Sequence, residues 1–395
     1  MSIPHQRWTT PVTDEFLHGV VELERTDIGV LPHRLPAWAR NQTDDPRLAM
    51  VESQPSGARL LFSTEGSCIE LRGRATRFRY EGAPPQPDGV FDLVVEGHHI
   101  QRASLDTATV VSIDMTTGAR QTISGKIGGV VFDGLPQGPK TVELWLPHNE
   151  TVELVEVRSD APIRPVRDPR PVWLHHGSSI SHGSNAVHPT GIWPVVAAMR
   201  AGLNLLNLGF GGSALLDPFT ARTIRDTPAD LISVKLGINL VNLDLMRLRA
   251  FTPAVHGFLD TIRDGHPRTP LLVVSPILCP IHEHTPGPGA FDPQALARGD
   301  VQFQATGDPS EVAAGKLTLT VIREQLARIV AERAQDDPYL FYLDGRELYG
   351  YSDAREFPLP DALHPDPATH LRMGKRFADL AFGEGAPLAT DRRLD

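Results

Sequence analysis

Up to about Pro162, apolar and polar positions fall into short runs with a period near two. Ala58 to Phe62, Cys68 to Leu71, Val90 to Glu96 and Val110 to Met115 are rich in strand-favouring residues, each bounded by Gly, Pro or polar turns. In Lys140 to Leu146, the residues Val142, Leu144 and Leu146 share one face; Thr151 to Val157 follows after a turn at Pro147, His148 and Asn149. Strands this closely spaced, with almost no helical period between them, predict an antiparallel β-sandwich. From Ala161 to Arg170, prolines at 162, 165 and 169 fix φ and remove amide donors, so the stretch reads as an extended, semi-rigid connector. The expected division is a sandwich domain over 1–165 and a second domain over 166–395.

Beyond the connector the period changes. Val172 to His176, Asn204 to Leu208, Leu231 to Leu236, Leu271 to Ser275 and Tyr339 to Leu343 read as strands. Helices are expected from Thr190 to Ala201, after Asp217-Pro218, after Thr252-Pro253, from Lys316 to Arg333, and from Asp366-Pro367 to about Phe382. The third of these carries Val255, Phe258, Leu259 and Ile262 on one face, with Gly265 as its stop. Strand and helix alternate throughout, which predicts an α/β fold with about five parallel strands covered by helices on both faces.

In such a sheet ligands bind beyond the carboxyl ends of the strands, so the residues following each strand are the ones to read for chemistry. They are Gly177-Ser178-Ser179 after the first, Gly209-Phe210-Gly211-Gly212 after the second, Gly237-Ile238-Asn239 after the third, and Asp361-Ala362-Leu363-His364 after the fifth. A serine hydroxyl attacks poorly until a base removes its proton, and an imidazole does that near neutral pH. A carboxylate on the other ring nitrogen orients the imidazole, and Asp361 is within reach of His364; Asp344, also at a strand end, is its rival. The oxyanion of an acyl-transfer step needs preorganised donors, which the amides of Ser179 and Gly212 and the side chain of Asn239 could supply.

These blocks resemble those of the SGNH hydrolase superfamily, the GDSL esterases and lipases, over roughly residues 170 to 385. Gly177-Ser178-Ser179 is similar to the Gly-Asp-Ser block, Asn207 to Gly212 to Asn-x-Gly-x-x-Gly, Gly237 to Asn239 to Gly-x-Asn, and Asp361 to Pro365 to Asp-x-x-His-Pro. The resemblance implies a three-layer α/β/α (flavodoxin-like) catalytic domain, Ser179 as nucleophile rather than Ser178 or Ser181, and Gly212 as the oxyanion glycine. Two positions depart from the pattern: Ser178 replaces the usual Asp of the first block, and Leu240 the Asp that often follows the third-block Asn. A β-rich half before the catalytic half resembles a subgroup with a jelly-roll-like N-terminal domain, which includes carbohydrate esterases and acyltransferases of natural-product pathways.

The formal net charge of −10 disfavours nucleic acid and anionic lipid surfaces as partners. The two cysteines, Cys68 and Cys279, make neither a disulfide framework nor a metal-ligand spacing. The N-terminal stretch lacks the pattern of a signal peptide, and no apolar run has membrane-spanning length, so a cytoplasmic protein is expected. His282-Glu283-His284 looks like a metal clip but lacks converging ligands, and no metal or cofactor is expected. The long segment Pro280 to Gly315 reads either as a lid that shapes the acyl or acceptor pocket, with Phe291 and Phe303 as apolar contacts, or as a surface insertion with no role. His182, Phe210, His282 and Phe291 are the expected pocket residues. The first half, which shows no stripe of aromatics for stacking on sugars, is expected to pack on the catalytic half and wall the cleft.

The expected function is a serine-dependent acyl-ester enzyme working through an acyl-Ser179 intermediate, an esterase or an acyltransferase. Its partners would be a small-molecule or sugar ester and, for transfer, an acceptor hydroxyl. A non-catalytic ligand- or carbohydrate-binding protein on the same scaffold is the alternative.

Overall fold

The computed structural model describes residues 8–82, 86–114 and 117–389. Met115, the last residue of one expected strand, and residues 1–7 of the N-terminal stretch lie outside them.

Two sheets face each other across the first core. Arg59–Thr64 lies between Lys140–Trp145 and Ile163–Pro165 in one sheet, with Phe91–Val95 beyond Lys140–Trp145. In the other, the long strand Ile69–Glu81 pairs with Thr151–Ser159 and Gly128–Phe132. Alternation sends one face of each strand inward, so Phe62, Phe91, Val142 and Leu144 meet Ile69, Leu71, Val130 and Leu154 in a single cluster. Burying one such side chain contributes about 1.5–3 kcal/mol. The sandwich is not wholly antiparallel: Ala108–Asp114 runs parallel to residues 75–81.

Two further expectations change. The proline connector begins as an edge strand, Ile163 opposite Thr64 and Pro165 opposite Phe62, because an edge tolerates a residue without an amide donor. The first half also contains the helix Pro46–Glu52, only seven residues long and so too short to show a period. Its Leu48 and Val51 point into the core of the second half, along with Leu35 and Ala39. We propose the division between the two units at 165/166, between the end of the last sandwich strand and the first parallel strand.

That second unit is a parallel sheet of β1 (Val172–Gly177), β2 (Asn204–Gly209), β3 (Leu231–Lys235), β4 (Leu271–Val274) and β5 (Leu340–Leu343), in spatial order β2-β1-β3-β4-β5. Helices Pro218–Asp226, Leu248–Gly265 and Leu319–Arg333 pack on one face, and Trp193–Ala201 and Pro367–Phe377 on the other. The helix expected to open at Thr252-Pro253 starts earlier, at Leu248, and runs through Pro253. Pro253 is exposed, and burial of Phe251, Val255, Phe258, Leu259 and Ile262 holds the helix across the missing hydrogen bond. The helix expected from Lys316 starts at Leu319, where the Thr318 hydroxyl accepts from the Val321 amide at 3.3 Å. The helix expected from Thr190 starts at Trp193, and Thr190 instead bonds Asp92 of the sandwich. No helix among the described residues is long and apolar enough to cross a membrane.

Candidate active site

At the end of β1 the chain turns tightly into the short helix Ser179–His182. A Cβ on Gly177 would lie 2.3 Å from the Ser181 hydroxyl oxygen, so only glycine permits the turn. Ser179 opens that helix half-buried, at the edge where the sheet's strands end.

His364 reaches the same point from the loop before Pro367–Phe377. Asp361 Oδ1 accepts from the amides of Leu363 at 2.9 Å and His364 at 2.6 Å, so the loop closes on its own carboxylate. Asp361 Oδ2 accepts from His364 Nδ1 at 2.7 Å, and His364 Nε2 lies 2.9 Å from Ser179 Oγ. A neutral imidazole donating from Nδ1 presents Nε2 as the acceptor for the serine proton. Burial pushes the Asp361 carboxyl up, but the hydrogen bond and charge of His364 and the loop amides outweigh it and hold the group below its ordinary range. Asn185 adds a bond from Nδ2 to Asp361 Oδ2 at 3.3 Å. Asp344 does not compete: its Oδ1 accepts from the Arg346 amide at 2.9 Å, capping the turn Gly345–Glu347, and both its oxygens face the Arg346 guanidinium.

The donors expected to hold an oxyanion lie on neighbouring loops. Gly212 adopts φ +75°, and none of the loop's backbone hydrogen bonds among the described residues uses the Gly212 or Ser179 amide. A Cβ on Gly211 would be 3.7 Å from Ser179 Cβ, which places this loop against Ser179. Asn239 is buried; its Oδ1 accepts from the Ala214 amide at 3.2 Å, which leaves the Nδ2 donors available. Gly237 before it adopts φ +125°, and a Cβ there would meet Ile322 at 2.7 Å.

Beneath Ser179 runs a buried chain of hydrogen bonds. Trp173 Nε1 donates to Ser233 Oγ at 2.9 Å, Ser233 Oγ lies 2.7 Å from His175 Nδ1, and His175 Nε2 lies 2.8 Å from Ser181 Oγ. Burial, then the neighbouring His176 and Lys235, keep His175 well below the ordinary histidine range, so the chain is neutral.

The sandwich unit supplies two residues that no motif announces. Arg34, fully buried, donates from Nη1 to the carbonyls of Asn207 at 2.9 Å and Gly209 at 2.7 Å, and from Nη2 to His182 Nδ1 at 3.1 Å and to the Val51 carbonyl. Arg47, on helix Pro46–Glu52, lays its guanidinium against Gly212. Neither has a spacing signal in the sequence, since their partners lie far along the chain.

Of the expected pocket residues, three are corrected. His182 is enclosed between Arg34, the Gly209 carbonyl and the His148 carbonyl. Phe210 is wholly buried, with the Arg34 guanidinium 5.2 Å from its ring centre and His176 at 5.9 Å. His282 is wholly buried and faces the Thr285 carbonyl. His182 and Phe210 are covered by groups of the sandwich unit, Arg34 and the His148 carbonyl, while His282 is enclosed by its own segment near Thr285 and Gly289. Phe291 remains partly exposed and stacks on Phe303 at 4.9 Å, and Phe303 meets the His364 ring edge-on at 5.7 Å. These two phenylalanines face each other across a small hairpin, Gly289–Phe291 with Phe303–Ala305, inside the long segment Pro280 to Gly315. In the His-Glu-His clip, Glu283 is bound by Arg323 at 2.6 Å and His284 points outward.

Comparison with known proteins gives two family matches. Residues 16–154 match the SsfX3 N-terminal domain, and residues 170–280 match the GDSL-like Lipase/Acylhydrolase family. No curated protein matches the chain. Among solved structures, the chain is similar to a salicylyl-acyltransferase, SsfX3, from a tetracycline biosynthetic pathway: 27% identity, 94% of this chain and 95% of that one, TM-score 0.76. It is similar in fold to a protein from Bacteroides ovatus assigned as a GDSL-like lipase, at 18% identity over 94% and 96% of the chains with a TM-score of 0.65. It also shares the fold of a family two carbohydrate esterase from Cellvibrio japonicus, at 14% identity over 94% and 96% with a TM-score of 0.54.

Proposed function

Because the chain joins an SsfX3-type N-terminal domain to a GDSL-like lipase and acylhydrolase domain, an acyl-ester enzyme, we propose that it moves acyl groups through an ester of Ser179. The observation that carries this reading is the line from Asp361 through His364 to Ser179, with bonds of 2.7 and 2.9 Å at the carboxyl edge of the sheet. A Ser hydroxyl that merely capped a helix would not face an imidazole whose far nitrogen is held by a carboxylate.

In the first step His364 Nε2 takes the Ser179 proton as Oγ adds to the ester carbonyl carbon. The carbonyl electron pair moves onto oxygen, where the amides of Ser179 and Gly212 and the Nδ2 of Asn239 receive it. The tetrahedral centre collapses, the leaving alcohol departs with the proton from His364, and the acyl group stays on Ser179. In the second step the acceptor hydroxyl gives its proton to His364 and attacks the acyl-serine, and the same donors hold the second oxyanion. Its collapse breaks the bond to Ser179 Oγ, which takes the proton back from His364 as the acylated acceptor leaves. Phe303 covers the imidazole edge and Phe291 stacks on Phe303; they would form the apolar wall for the acyl chain. No step calls for a metal or cofactor.

Hydrolysis and transfer differ only in the acceptor. The likeness to a salicylyl-acyltransferase over nearly the whole chain favours an acceptor other than water, and the acceptor would be a small hydroxyl compound. The test is turnover of short-chain p-nitrophenyl esters by wild type and Ser179→Ala. A burst of one equivalent, then slow release, supports transfer; brisk steady turnover supports an esterase. Equal rates in wild type and Ser179→Ala would reject the site.

A further inference from the structure

The oxyanion loop is bordered by a charge that the acyl-transfer steps do not use. Helix Pro46–Glu52 is started by Pro46 and capped by Asp45, whose Oδ1 accepts from the Arg47 amide at 2.9 Å. Leu48 and Val51 bury their side chains in the catalytic core, which fixes the helix and the direction in which Arg47 leaves it. The Arg47 side chain crosses to Gly212: a Cβ there would lie 2.6 Å from Nη1 and 2.7 Å from Cδ. Val51, one turn on, would be 3.5 Å from a Cβ at Gly211, whose next neighbour is Ser179 Cβ at 3.7 Å. Guanidinium, glycine loop and nucleophile thus follow one another along one wall of the cleft.

Arg47 is exposed, and its guanidinium has neither a hydrogen bond nor an ion pair among the described residues. The neighbouring acids are engaged elsewhere. Asp45 takes the Arg47 amide and the Ser213 hydroxyl, the latter at 3.4 Å. Asp217, pushed up to about 6 by burial and then by Asp45, forms no ion pair with Arg47 among the described residues. A planar fork of donors left free on a chain of net charge −10 is suited to an incoming carboxylate, which a guanidinium grips in bidentate fashion.

We propose that Arg47 is a specificity-determining residue that selects substrates carrying a carboxylate near the reacting ester. The inference rests on the acyl-ester reading above and adds the class of substrate. The carboxylate belongs either to the acyl group or to the alcohol portion, and both would present the same anion to the guanidinium.

The experiment compares kcat/KM for charged and neutral partners in two arms. On the acyl side the pair is p-nitrophenyl hemiadipate and p-nitrophenyl hexanoate. On the alcohol side it is 4-acetoxybenzoate and 4-acetoxybenzamide. In one arm the charged-to-neutral ratio should fall at least tenfold in Arg47→Gln, fall less in Arg47→Lys, and shrink in wild type as salt is added. Which arm responds says where the carboxylate sits. Ratios within twofold of wild type in both arms would overturn the proposal, and so would equal losses on charged and neutral substrates. Arg47→Lys keeps a charge on the same helix, so a folding defect confined to Arg47→Gln is separable by thermal melts. Absence of Ser179-dependent turnover of the neutral esters by wild type would instead count against the acyl-ester reading.

Discussion

Arg34 Nη1 donates to the carbonyl oxygen of Gly209 at 2.7 Å, joining a residue of the sandwich unit to the last residue of β2. The same guanidinium reaches Asn207, Val51 and His182, so one side chain satisfies backbone groups that the strand end and the helix Pro46–Glu52 leave open. Burial lowers its pKa to about 9, with Glu52 opposing, so it still carries its charge at neutral pH. The loop proposed to hold the oxyanion begins directly after Gly209, so its position depends on a bond made by the other unit.

Replacing Arg34 with Ala should therefore do more than remove a contact. It leaves several buried carbonyls without donors, and the expected loss is about 3–5 kcal/mol. Arg34→Lys should recover little of this, because an ammonium cannot span the carbonyls of both β2 and helix Pro46–Glu52. Urea unfolding checks the claim: a loss under about 1 kcal/mol would mean that the interface is held by its apolar contacts alone.

Under the proposed mechanism, Asp361 and Asn239 should make separable contributions. Asp361→Asn should lower kcat by about 10²–10⁴, since the imidazole loses both its orientation and the charge that stabilises its protonated form. Asn239→Ala should lower kcat by about 10²–10³ with little change in KM, the pattern of a donor used in the transition state. Asp344→Asn should stay within about twofold of wild type, because Asp344 only caps its own turn and pairs with Arg346. Steady-state kinetics on one neutral ester compares the three variants, and a large loss in Asp344→Asn would reopen the choice of acid.

The placement of Ser179 after β1, Gly212 after β2, Asn239 after β3, and Asp361 and His364 on a single short loop was legible because each follows a short apolar run that marks its strand. The parallel sheet itself, though not its strand order, followed from the alternation of strand and helix. What stayed hidden depends on contacts between distant positions. Arg34 and Gly209 are 175 positions apart, and a lone Arg in a loop has no period. The parallel pairing of residues 75–81 with 108–114 is set by register, which local patterns do not encode. His182 and Phe210 were misjudged for a related reason. Their neighbours in sequence face the cleft, but the sandwich covers them from behind.

Asp217 should limit stability at neutral pH. It stands at the N-cap of helix Pro218–Asp226 without a side-chain cap bond, and burial followed by the charge of Asp45 raises its pKa to about 6. A carboxyl raised in the folded state adds stability below its unfolded pKa and loses it as pH rises through about 6. Asp217→Asn keeps the shape and N-cap preference but removes the charge. It should stabilise the protein by about 1–2 kcal/mol at pH 8, after allowance for partial exposure. Near pH 4 the gain should nearly vanish. Thermal melts at both values decide it; equal gains at both would show that charge is not the cause.

Acid should unfold the protein through histidines buried at and beside the joint between the units. Burial lowers His148, His176 and His370 to about 4, and takes His175 and His182 well below the ordinary range. His182 Nε2 meets the His148 carbonyl and His370 Nε2 meets the Ser184 carbonyl at 2.9 Å, so each donates one proton and has no room for a solvated charge. Between the unfolded value near 6.5 and the folded one near 4, only the unfolded chain binds these protons, so stability falls as pH is lowered through that window. Each fully shifted histidine corresponds to about 3 kcal/mol. A few together rival the entire stability of an ordinary domain, about 5–15 kcal/mol. Cooperative unfolding should therefore begin between pH 6 and pH 4, and His148→Gln should move the midpoint to lower pH by removing one titrating group. Near-UV circular dichroism across that range reads the transition. A signal that stays native to pH 4 in wild type would mean that excluding protons from these histidines does not limit the stability of the fold.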